Sequence, residues 1–220
     1  GDAVGANTTL LRIGAYYHDI GKIENPEFFS ENQLDADSPH DHLEPGKSAK
    51  LIIDHVQHGQ VLGRARGLPE IVVDFIAQHH GTQVVEFFYE KAVEGKQEFE
   101  PCKQDFRYPG PKPQSLEAAI LMIVDAVEAA SRSIREPSPK KIEKMIRLLI
   151  VKRIADGQLD ECNLSTRDLA KIVETLVSSL MASGHSRVVY PWQKRGTKAR
   201  LIKMQDKRNN PKLSSRLDGR

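Results

Sequence analysis

Apolar residues recur every three or four positions along most of the chain, a spacing that is typical of amphipathic α-helices. Seven segments follow this spacing, and they lie near residues 10–18, 44–59, 69–80, 84–93, 115–133, 138–150 and 165–180. No stretch alternates apolar and polar residues for long enough to form a β-sheet. The pattern therefore predicts an all-α fold, a single bundle of about seven or more helices.

Residues that commonly start helices stand at several of these boundaries. Pro69 opens the third segment, Ser138 and Pro139 open the sixth, and STRD at 165–168 resembles a capping box. Between the fourth and fifth segments, residues 94–114 are rich in Pro and Gly and show no helical period. We expect a long loop there, and long loops inside a domain are often functional.

The composition is that of a globular protein, since 39% of the 220 residues are hydrophobic and 28% are charged. We predict one domain over residues 1–190, with a short extended segment at 186–192, and a basic tail over residues 191–220. No run of about 18 uncharged apolar residues occurs, so we expect no membrane-spanning helix in this sequence. Two cysteines, Cys102 and Cys162, are too few for a disulfide scaffold.

The net charge of +2 conceals an uneven distribution. Residues 191–220 contain ten Lys and Arg against two Asp, a net charge of +8, which leaves −6 for residues 1–190. A basic tail can bind nucleic acid or anionic lipid, but a solvated chain end without a partner is the commoner case. Because the body of the domain is acidic, we expect no DNA or RNA polymer as a partner.

Histidines and aspartates stand at helix ends and on apolar helix faces. The set consists of His18 and Asp19 at the end of the first segment, His55 within the second, His79 and His80 at the end of the third, and Asp125 within the fifth. A carboxylate such as Asp125 in an apolar helix is costly unless a cation, a metal or several donors balance its charge.

Each of these positions also has a simpler interpretation. A single inward histidine is more often a hydrogen-bonded core residue, and His79 and His80 before a glycine can be cations near the negative end of a helix. Several inward His and Asp residues on consecutive helices nevertheless favour one shared site. Imidazole and carboxylate without thiolate suit iron, manganese or zinc in a hydrolytic centre rather than a structural zinc site.

The ordered set H-D, H, H-H and D resembles the HD superfamily of metal-dependent phosphohydrolases. Five stretches narrow the resemblance, and they are GAYYHDIGK, AQHHGT, FRYPGPKPQS, DAVEAASRS and DGQLDECNLS. Together they are similar to the C-terminal cytoplasmic domain of the bacterial seven-transmembrane HD proteins, the PgpH-type cyclic di-AMP phosphodiesterases. The likeness extends from Asp2 to Trp192, and FRYPGPKPQ is its most family-specific part.

The resemblance implies two divalent transition metals, iron or manganese, and a role for each residue of the set. Asp19 would bridge the two metals, His18 and Asp125 would bind the first, and His55, His79 and His80 would bind the second. Lys22 would face a phosphate of the substrate and act in catalysis with Asp19. Substrate contacts are expected from Lys22, Tyr108, Lys112 and Arg132.

The other histidines have different expected roles. His40 is expected to support the ligands, His42 to lie on the surface, and His58 and His185 to be structural. The family also has a histidine ligand well upstream of the HD pair, whereas none of the 17 residues before His18 is His. We therefore expect the first metal to have fewer ligands in this chain, with His40 as the first candidate to replace the absent one.

The resemblance implies a signalling enzyme that hydrolyses cyclic di-AMP to linear pApA, with a hydroxide held between the two metals as nucleophile. From the residues alone, only a phosphate ester such as a nucleotide can be named as substrate. A nucleotide or alarmone phosphohydrolase of another HD branch is the alternative enzyme, and a ligand-binding signalling module with an incomplete metal centre is the alternative without catalysis. The family's membrane helices are absent from this sequence, and the resemblance implies a domain that they anchor on the cytoplasmic side of a bacterial membrane.

Overall fold

Helices dominate the structure of this chain. The structure is a computed structural model, and it describes residues 1–33, 38–95, 100–134 and 136–184. Within those residues the chain forms seven α-helices. They are α1 Thr8–Tyr17, α2 Pro45–Ala65, α3 Glu70–Gln78, α4 Glu86–Glu94, α5 Leu116–Ser131, α6 Pro139–Ala155 and α7 Thr166–Gly184. The all-α fold predicted from the apolar pattern is confirmed.

Short 3-10 helices fill several of the connections. They are Asp2–Val4, Ile20–Glu24, Pro26–Phe28, Ser30–Asn32, Pro39–His42 and Lys103–Phe106. In the described parts of the chain, the only β-pairing is a single antiparallel bridge between Val84 and Arg107. This bridge fastens the segment before α4 to the loop before α5.

Side-chain caps fix where four of the helices begin, and at α1 the side chain of Asn7 accepts from the N–H of Leu10. The side chain of Ser115 accepts a hydrogen bond from the backbone N–H of Ala118 at the start of α5, and Ser138 caps α6 in the same way. At α7, the N–H of Asp168 donates to Ser165 Oγ, and the N–H of Ser165 donates to the Asp168 carboxylate. This reciprocal pair confirms the predicted capping box.

One of the boundaries read from the sequence is wrong. The pattern predicts that the second helix ends near Gly59, but α2 continues to Ala65. Gly59 lies at a tight contact that has no room for a side chain, so this glycine serves close packing and does not end the helix. The long loop expected between the fourth and fifth helices lies there, and its described residues include the 3-10 helix Lys103–Phe106, whose last residue is buried in the core.

Two clusters of buried side chains join the helices. In the first, Phe75 of α3 packs against Ala118 and Leu121 of α5, with Leu10 and Leu11 of α1 at its edge. The second joins α2, α4 and the 3-10 helix before α5, and its members are Ala49, Phe88, Ala92 and Phe106. Burial of apolar area is worth about 25 cal/mol per Å². The two clusters therefore hold the helices that carry the predicted site residues.

Contacts within the chain group Gly1–Ser179 into one compact unit and Leu180–Arg220 into another. Of the second unit, only the last residues of α7 belong to the described structure. The basic tail, the predicted extended segment at 186–192 and His185 lie outside it, and the domain boundary at residue 190 stays a prediction. None of the described helices is both long and apolar enough to cross a membrane.

Gly21 lies directly against the backbone of α2. A Cβ atom on Gly21 would overlap the carbonyl oxygen of His55 and the backbone of Gly59, and a Cβ on Gly59 would in turn strike Ile76. The two segments approach this closely because neither glycine has a side chain. The contact seats the short helix that follows Asp19 on the part of α2 that carries His55.

We predict that Gly21→Ala lowers the free energy of unfolding by about 1–3 kcal/mol, because the added methyl group overlaps backbone atoms that cannot move aside. Urea denaturation of the variant and the parent protein measures the difference. Gly46→Ala is the matched control, since a Cβ on Gly46 in α2 meets nothing within 4 Å. Equal unfolding midpoints for the two variants would contradict the close contact.

Candidate metal centre

Four helices bring the predicted ligands to one place. His18 is the C-cap of α1 and Asp19 follows it, His55 lies within α2, His79 is the C-cap of α3 and His80 follows it, and Asp125 lies within α5. Their ligand atoms form two groups, each with all atoms within 4.8 Å of one another. One group is Asp19, His55, His79 and His80, and the other is His18, Asp19 and Asp125. Asp19 belongs to both groups.

The Asp19 carboxylate is the centre of this arrangement. Its Oδ1 lies 3.3 Å from Nε2 of His55 and 3.6 Å from Nε2 of His79. Its Oδ2 lies 3.2 Å from Nε2 of His18, and the same nitrogen is 3.6 Å from Oδ1 of Asp125. The two carboxylate oxygens therefore face different groups of ligand atoms, which is the geometry of a carboxylate that bridges two cations.

The helix backbone fixes the orientation of three imidazole rings. In His18, His55 and His79, Nδ1 donates to the backbone carbonyl three positions earlier, at 3.0, 2.5 and 2.8 Å. Because a carbonyl oxygen only accepts, each Nδ1 carries a proton, and each Nε2 can present its lone pair to a metal. These Nε2 atoms are the ones that lie nearest to the Asp19 carboxylate.

A divalent metal fits this donor set. Nε2 of His55 and Nε2 of His79 lie 3.2 Å apart, and with both Nδ1 atoms protonated, two lone pairs face each other unless a cation binds them. In addition, the buried Nε2 of His18 and Oδ1 of Asp19 have no well-formed hydrogen bond among the described residues. Buried polar atoms are normally paired. Their geometry therefore indicates a bound cation, and imidazole and carboxylate suit a transition metal.

Burial and nearby charges set the protonation states of three candidate ligands in one group. Burial lowers the pKa of His79, and burial together with His79 and His55 lowers the pKa of His80 well below its usual value. Both rings are therefore neutral. Burial acts to raise the pKa of Asp19, but the neighbouring histidines, His18 before the others, outweigh it and hold this pKa far below its usual range. Asp19 is thus an anion.

His18 differs from the other histidines because two carboxylates flank it. Burial acts to lower its pKa, but the nearby carboxylates of Asp125 and Asp19 outweigh this effect and raise the pKa to about 10. Burial acts to raise the pKa of Asp125, and the nearby imidazole of His18 lowers it instead. A metal that binds His18 therefore replaces a proton.

Lys22 is held beside the candidate ligands by two carboxylates. Its Nζ lies 2.8 Å from Oδ2 of Asp19, 2.6 Å from Oε1 of Glu31, and 5.0 Å from the centre of the Phe29 ring. Partial burial acts to lower the pKa of Lys22, but the two carboxylates outweigh it and raise the pKa. The ammonium is therefore a permanent positive charge next to Asp19. Glu31 orients this ammonium, and no pattern in the sequence predicts that role.

Tyr108 lies against one of the candidate ligands. Its ring is stacked on the His80 ring, with the two centres 4.2 Å apart and an angle of 24° between the planes. Tyr108 is buried, and its backbone N–H donates to the carbonyl of Gln83 at 2.9 Å. Burial, followed by the charges of Asp19 and Asp125, raises the pKa of the phenol, so it stays neutral. Contact with a substrate stays a prediction for this residue.

Comparisons with known proteins match the part of the chain that carries the candidate ligands. The model of the HD domain family matches residues 1–130, which contain all the candidate ligands. The chain belongs to the HD domain family. It is 47% identical over 190 residues to the cyclic-di-AMP phosphodiesterase PgpH of Bacillus subtilis (strain 168), and 42% identical over 190 residues to PgpH of Listeria monocytogenes serotype 1/2a (strain 10403S). Each match covers 86% of this chain but spans only 26% of the length of the relative.

The fold of this HD domain also matches a solved structure. The crystal structure of the L. monocytogenes PgpH HD domain in complex with cyclic-di-AMP superposes with a TM-score of 0.79 and is 41% identical in sequence. The superposition covers 82% of this chain and 84% of that chain. The family and the fold inferred from the HD, HH and distant Asp positions are therefore confirmed.

The other two predicted substrate contacts lie in ion pairs. Nζ of Lys112 is 3.9 Å from Oδ2 of Asp160. The Arg132 guanidinium forms a two-point pair with Glu128, at 2.7 and 3.0 Å. Glu128 is the main cause of the raised pKa of Arg132, and the charge of Asp125 contributes to it. Arg132 therefore lies within electrostatic range of the metal centre, while its contact with a substrate stays a prediction.

The remaining described histidines belong to neither group of ligands. His40 is buried, its Nε2 lies 2.8 Å from the carbonyl of Phe28, and its ring lies against Phe88. These contacts hold His40 in the 3-10 helix before α2. Because His40 belongs to neither group of candidate ligands, the structure does not support it as a replacement ligand. His42 is exposed, as expected, and His58 is partly buried in α2.

A buried glutamine, Gln158, supports the turn that carries His80. Its Oε1 accepts from the N–H of Thr82, and its Nε2 donates to Thr82 Oγ1 and to the Asp156 carboxylate, all at 2.9 Å. Arg107 adds donors to the carbonyl of Thr82 and to Asp156. The network ties the turn after α3 to the segment after α6.

Gly81 completes this turn, and its φ of +54° is a left-handed conformation that favours glycine. A Cβ there would also strike the side chain of Gln158. No pattern in the sequence predicts the role of Gln158, because a single polar residue in a loop has no periodicity to mark it. The only signal was its place within the family-like stretch DGQLDECNLS.

We predict that Gln158→Leu lowers the free energy of unfolding by about 1–3 kcal/mol, because it leaves the donors and acceptors of Thr82 and Asp156 without their buried partner. We also expect weaker metal retention, because His80 precedes the unsupported turn. Gln57→Leu is the matched control, since Gln57 is exposed on α2. Urea denaturation and metal analysis measure the two effects, and equal results for both variants would remove Gln158 from this role.

Proposed function

We propose that this HD domain is the catalytic part of a phosphodiesterase that hydrolyses cyclic di-AMP to linear pApA with two divalent transition metals, iron or manganese. One observation carries the proposal: the Asp19 carboxylate belongs to two separate groups of candidate ligands. A pair of neighbouring divalent metals is a recurring arrangement for the hydrolysis of phosphate esters.

Each candidate ligand has a stated role in this proposal. Asp19 would hold both metals, His18 and Asp125 would hold the first, and His55, His79 and His80 would hold the second. When bound, the metals supply positive charge to the phosphoryl oxygens and lower the pKa of the attacking water. The chain contributes fixed rings, an anionic Asp19 and neutral imidazoles at His79 and His80, while His18 would give up a proton when a metal binds.

Lys22 is the chain's further contribution to catalysis. Its ammonium is fixed between Asp19 and Glu31 at hydrogen-bond distance from both. A fixed positive charge beside the bridging carboxylate can pair with phosphoryl oxygens as negative charge develops on them. Because both neighbouring carboxylates raise the pKa of Lys22, it acts as a charge and keeps its proton.

The proposal that the substrate is a cyclic dinucleotide is based on similarity to known proteins. Two proteins named cyclic-di-AMP phosphodiesterase are 47% and 42% identical to this chain, and the similar Listeria HD domain was solved in complex with cyclic-di-AMP. The proposed substrate contacts are Lys22, Tyr108, Lys112 and Arg132. From the same resemblance we propose that the domain acts at the cytoplasmic side of a bacterial membrane.

We predict that the metal-loaded chain hydrolyses cyclic di-AMP faster than cyclic di-GMP, dATP or ppGpp, and that mass spectrometry of the product shows pApA. Asp19→Ala should abolish both hydrolysis and metal retention, because the bridge holds both ions. Asp54→Ala is the matched control, since Asp54 is a carboxylate of α2 that pairs with Lys50. Faster turnover of dATP would favour another branch of the family, and bound metal without any hydrolysis would favour a signalling module.

We predict that Lys22→Ala keeps its metals but lowers kcat by about 10²- to 10³-fold, because one charged contact to the transition state is lost. Steady-state kinetics and elemental analysis separate the two properties. Lys50→Ala is the control, since the Lys50 side chain is 76% exposed and pairs with Asp54 on the surface of α2. An unchanged kcat for Lys22→Ala would exclude the lysine from the mechanism.

We predict that the two metals bind with unequal affinity, because one group offers four ligand residues and the other offers three among the described residues. Calorimetric titration of the metal-stripped protein with Mn²⁺ should show a tight event followed by a weaker one. His80→Ala should weaken the tight event and Asp125→Ala the weaker one, each by about tenfold or more. A single event of two equivalent ions would contradict this assignment.

A further inference from the structure

A cationic cavity of about 390 Å³ lies apart from the candidate metal ligands, none of which lines it. The segment after His80, the start of α4, the 3-10 helix before α5 and the end of α6 form its walls. Its polar lining residues are Gln83, Glu86, Lys103, Lys152, Arg153 and Asp156. The volume falls within the range of small-molecule sites, about 300–1,000 Å³.

Arg153, near the end of α6, is a cation without a partner in this cavity. Its Nε is buried and makes no hydrogen bond to any of the described residues. None of the ion pairs found within the described ranges includes its guanidinium. Burial lowers the pKa of Arg153, and the surrounding carboxylates only partly offset that effect. A partly buried guanidinium whose buried Nε has no acceptor favours a bound anion, because a buried donor without a partner is costly.

Gln83 provides a second unpaired donor in the same cavity. The residue is 9% exposed, and its Nε2 is buried with no hydrogen-bond partner in the described part of the chain. Buried donors are normally paired with an acceptor. Two unpaired donors that line one cavity therefore indicate a ligand that accepts several hydrogen bonds.

The carboxylates of the cavity already have partners. Glu86 lies 2.9 Å from Nζ of Lys152, and Asp156 lies 3.1 Å from the Arg107 guanidinium. Each of these acidic side chains is thus balanced by its own cation. The guanidinium of Arg153 is in none of the ion pairs found among the described residues.

Lys103 adds positive charge at the rim of the cavity. Its side chain is exposed, and its Nζ lies 5.5 Å from the centre of the Tyr89 ring. Within the described residues it forms no ion pair. An anion in the cavity would therefore meet two cations that are not already neutralised.

We propose that this cavity binds a phosphate group, with Arg153 and Gln83 as hydrogen-bond donors and Lys103 as a charge at the rim. A phosphate oxyanion accepts several hydrogen bonds at once and matches the planar fork of a guanidinium. The cavity is larger than one phosphate group, so both inorganic phosphate and the phosphate of a nucleotide fit. The proposal does not depend on the proposed hydrolysis of cyclic di-AMP.

Calorimetric titration of the metal-loaded protein with inorganic phosphate, and separately with AMP, tests this site. Phosphate can also bind at the metals, so the event of interest is the one that persists when EDTA is added. We expect Arg153→Met to weaken that event by about tenfold or more, because a charged hydrogen bond is lost. Arg147→Met is the matched control, since Arg147 lies on the same helix and pairs with Glu143 on the surface.

If Arg153→Met fails to fold, a second variant, Lys103→Ala, tests the same site. It changes an exposed residue and should weaken the same binding event several-fold. Tighter binding of AMP than of phosphate would identify a nucleotide site, and equal binding would identify a site for inorganic phosphate. Absence of any EDTA-resistant binding in the parent protein, or identical isotherms for the parent, Lys103→Ala and the folded Arg153→Met, would overturn the proposal.

Discussion

The arrangement of this HD domain depends on the contacts of one carboxylate, that of Asp19. Three imidazole nitrogens lie within 3.6 Å of its oxygens, and the Lys22 ammonium lies at 2.8 Å. The three histidines come from three different helices, and their Nε2 atoms and the carboxylate oxygens all need a cation between them. Removal of the Asp19 carboxylate would take away the one ligand that both groups share and one of the two partners of the Lys22 ammonium.

The precision of this arrangement comes from contacts outside the ligand set. The backbone of Gly21 touches α2 beside His55, so the segment that carries Asp19 cannot move away from that histidine. On the other side, Gln158 holds the turn after His80 through three hydrogen bonds of 2.9 Å to Thr82 and Asp156. Both contacts act through backbone position, which is why neither residue needs to touch a metal or a substrate.

The metal centre and the phosphate cavity are inferred from the same physical observation. In each, polar atoms are buried without the partners that a folded chain normally provides. At Asp19 the unsatisfied atoms are lone pairs and a carboxylate oxygen, which call for a cation. At Arg153 and Gln83 they are donors, which call for an anion. The segment from His80 to Gln83 borders both places, so the two ligands would share one wall of the domain.

The sequence by itself determined the helical class, most helix starts, the HD family and the five residues that come together around Asp19. It could do so because apolar period, capping residues and ligand type are local properties that can be read position by position. Only the tertiary structure decided that α2 continues past Gly59, that Glu31 fixes Lys22, that Gln158 supports the His80 turn, and that Arg153 shares a cavity with Gln83. Each of these depends on which groups meet across long separations in the chain, and a local pattern carries no information about those distances.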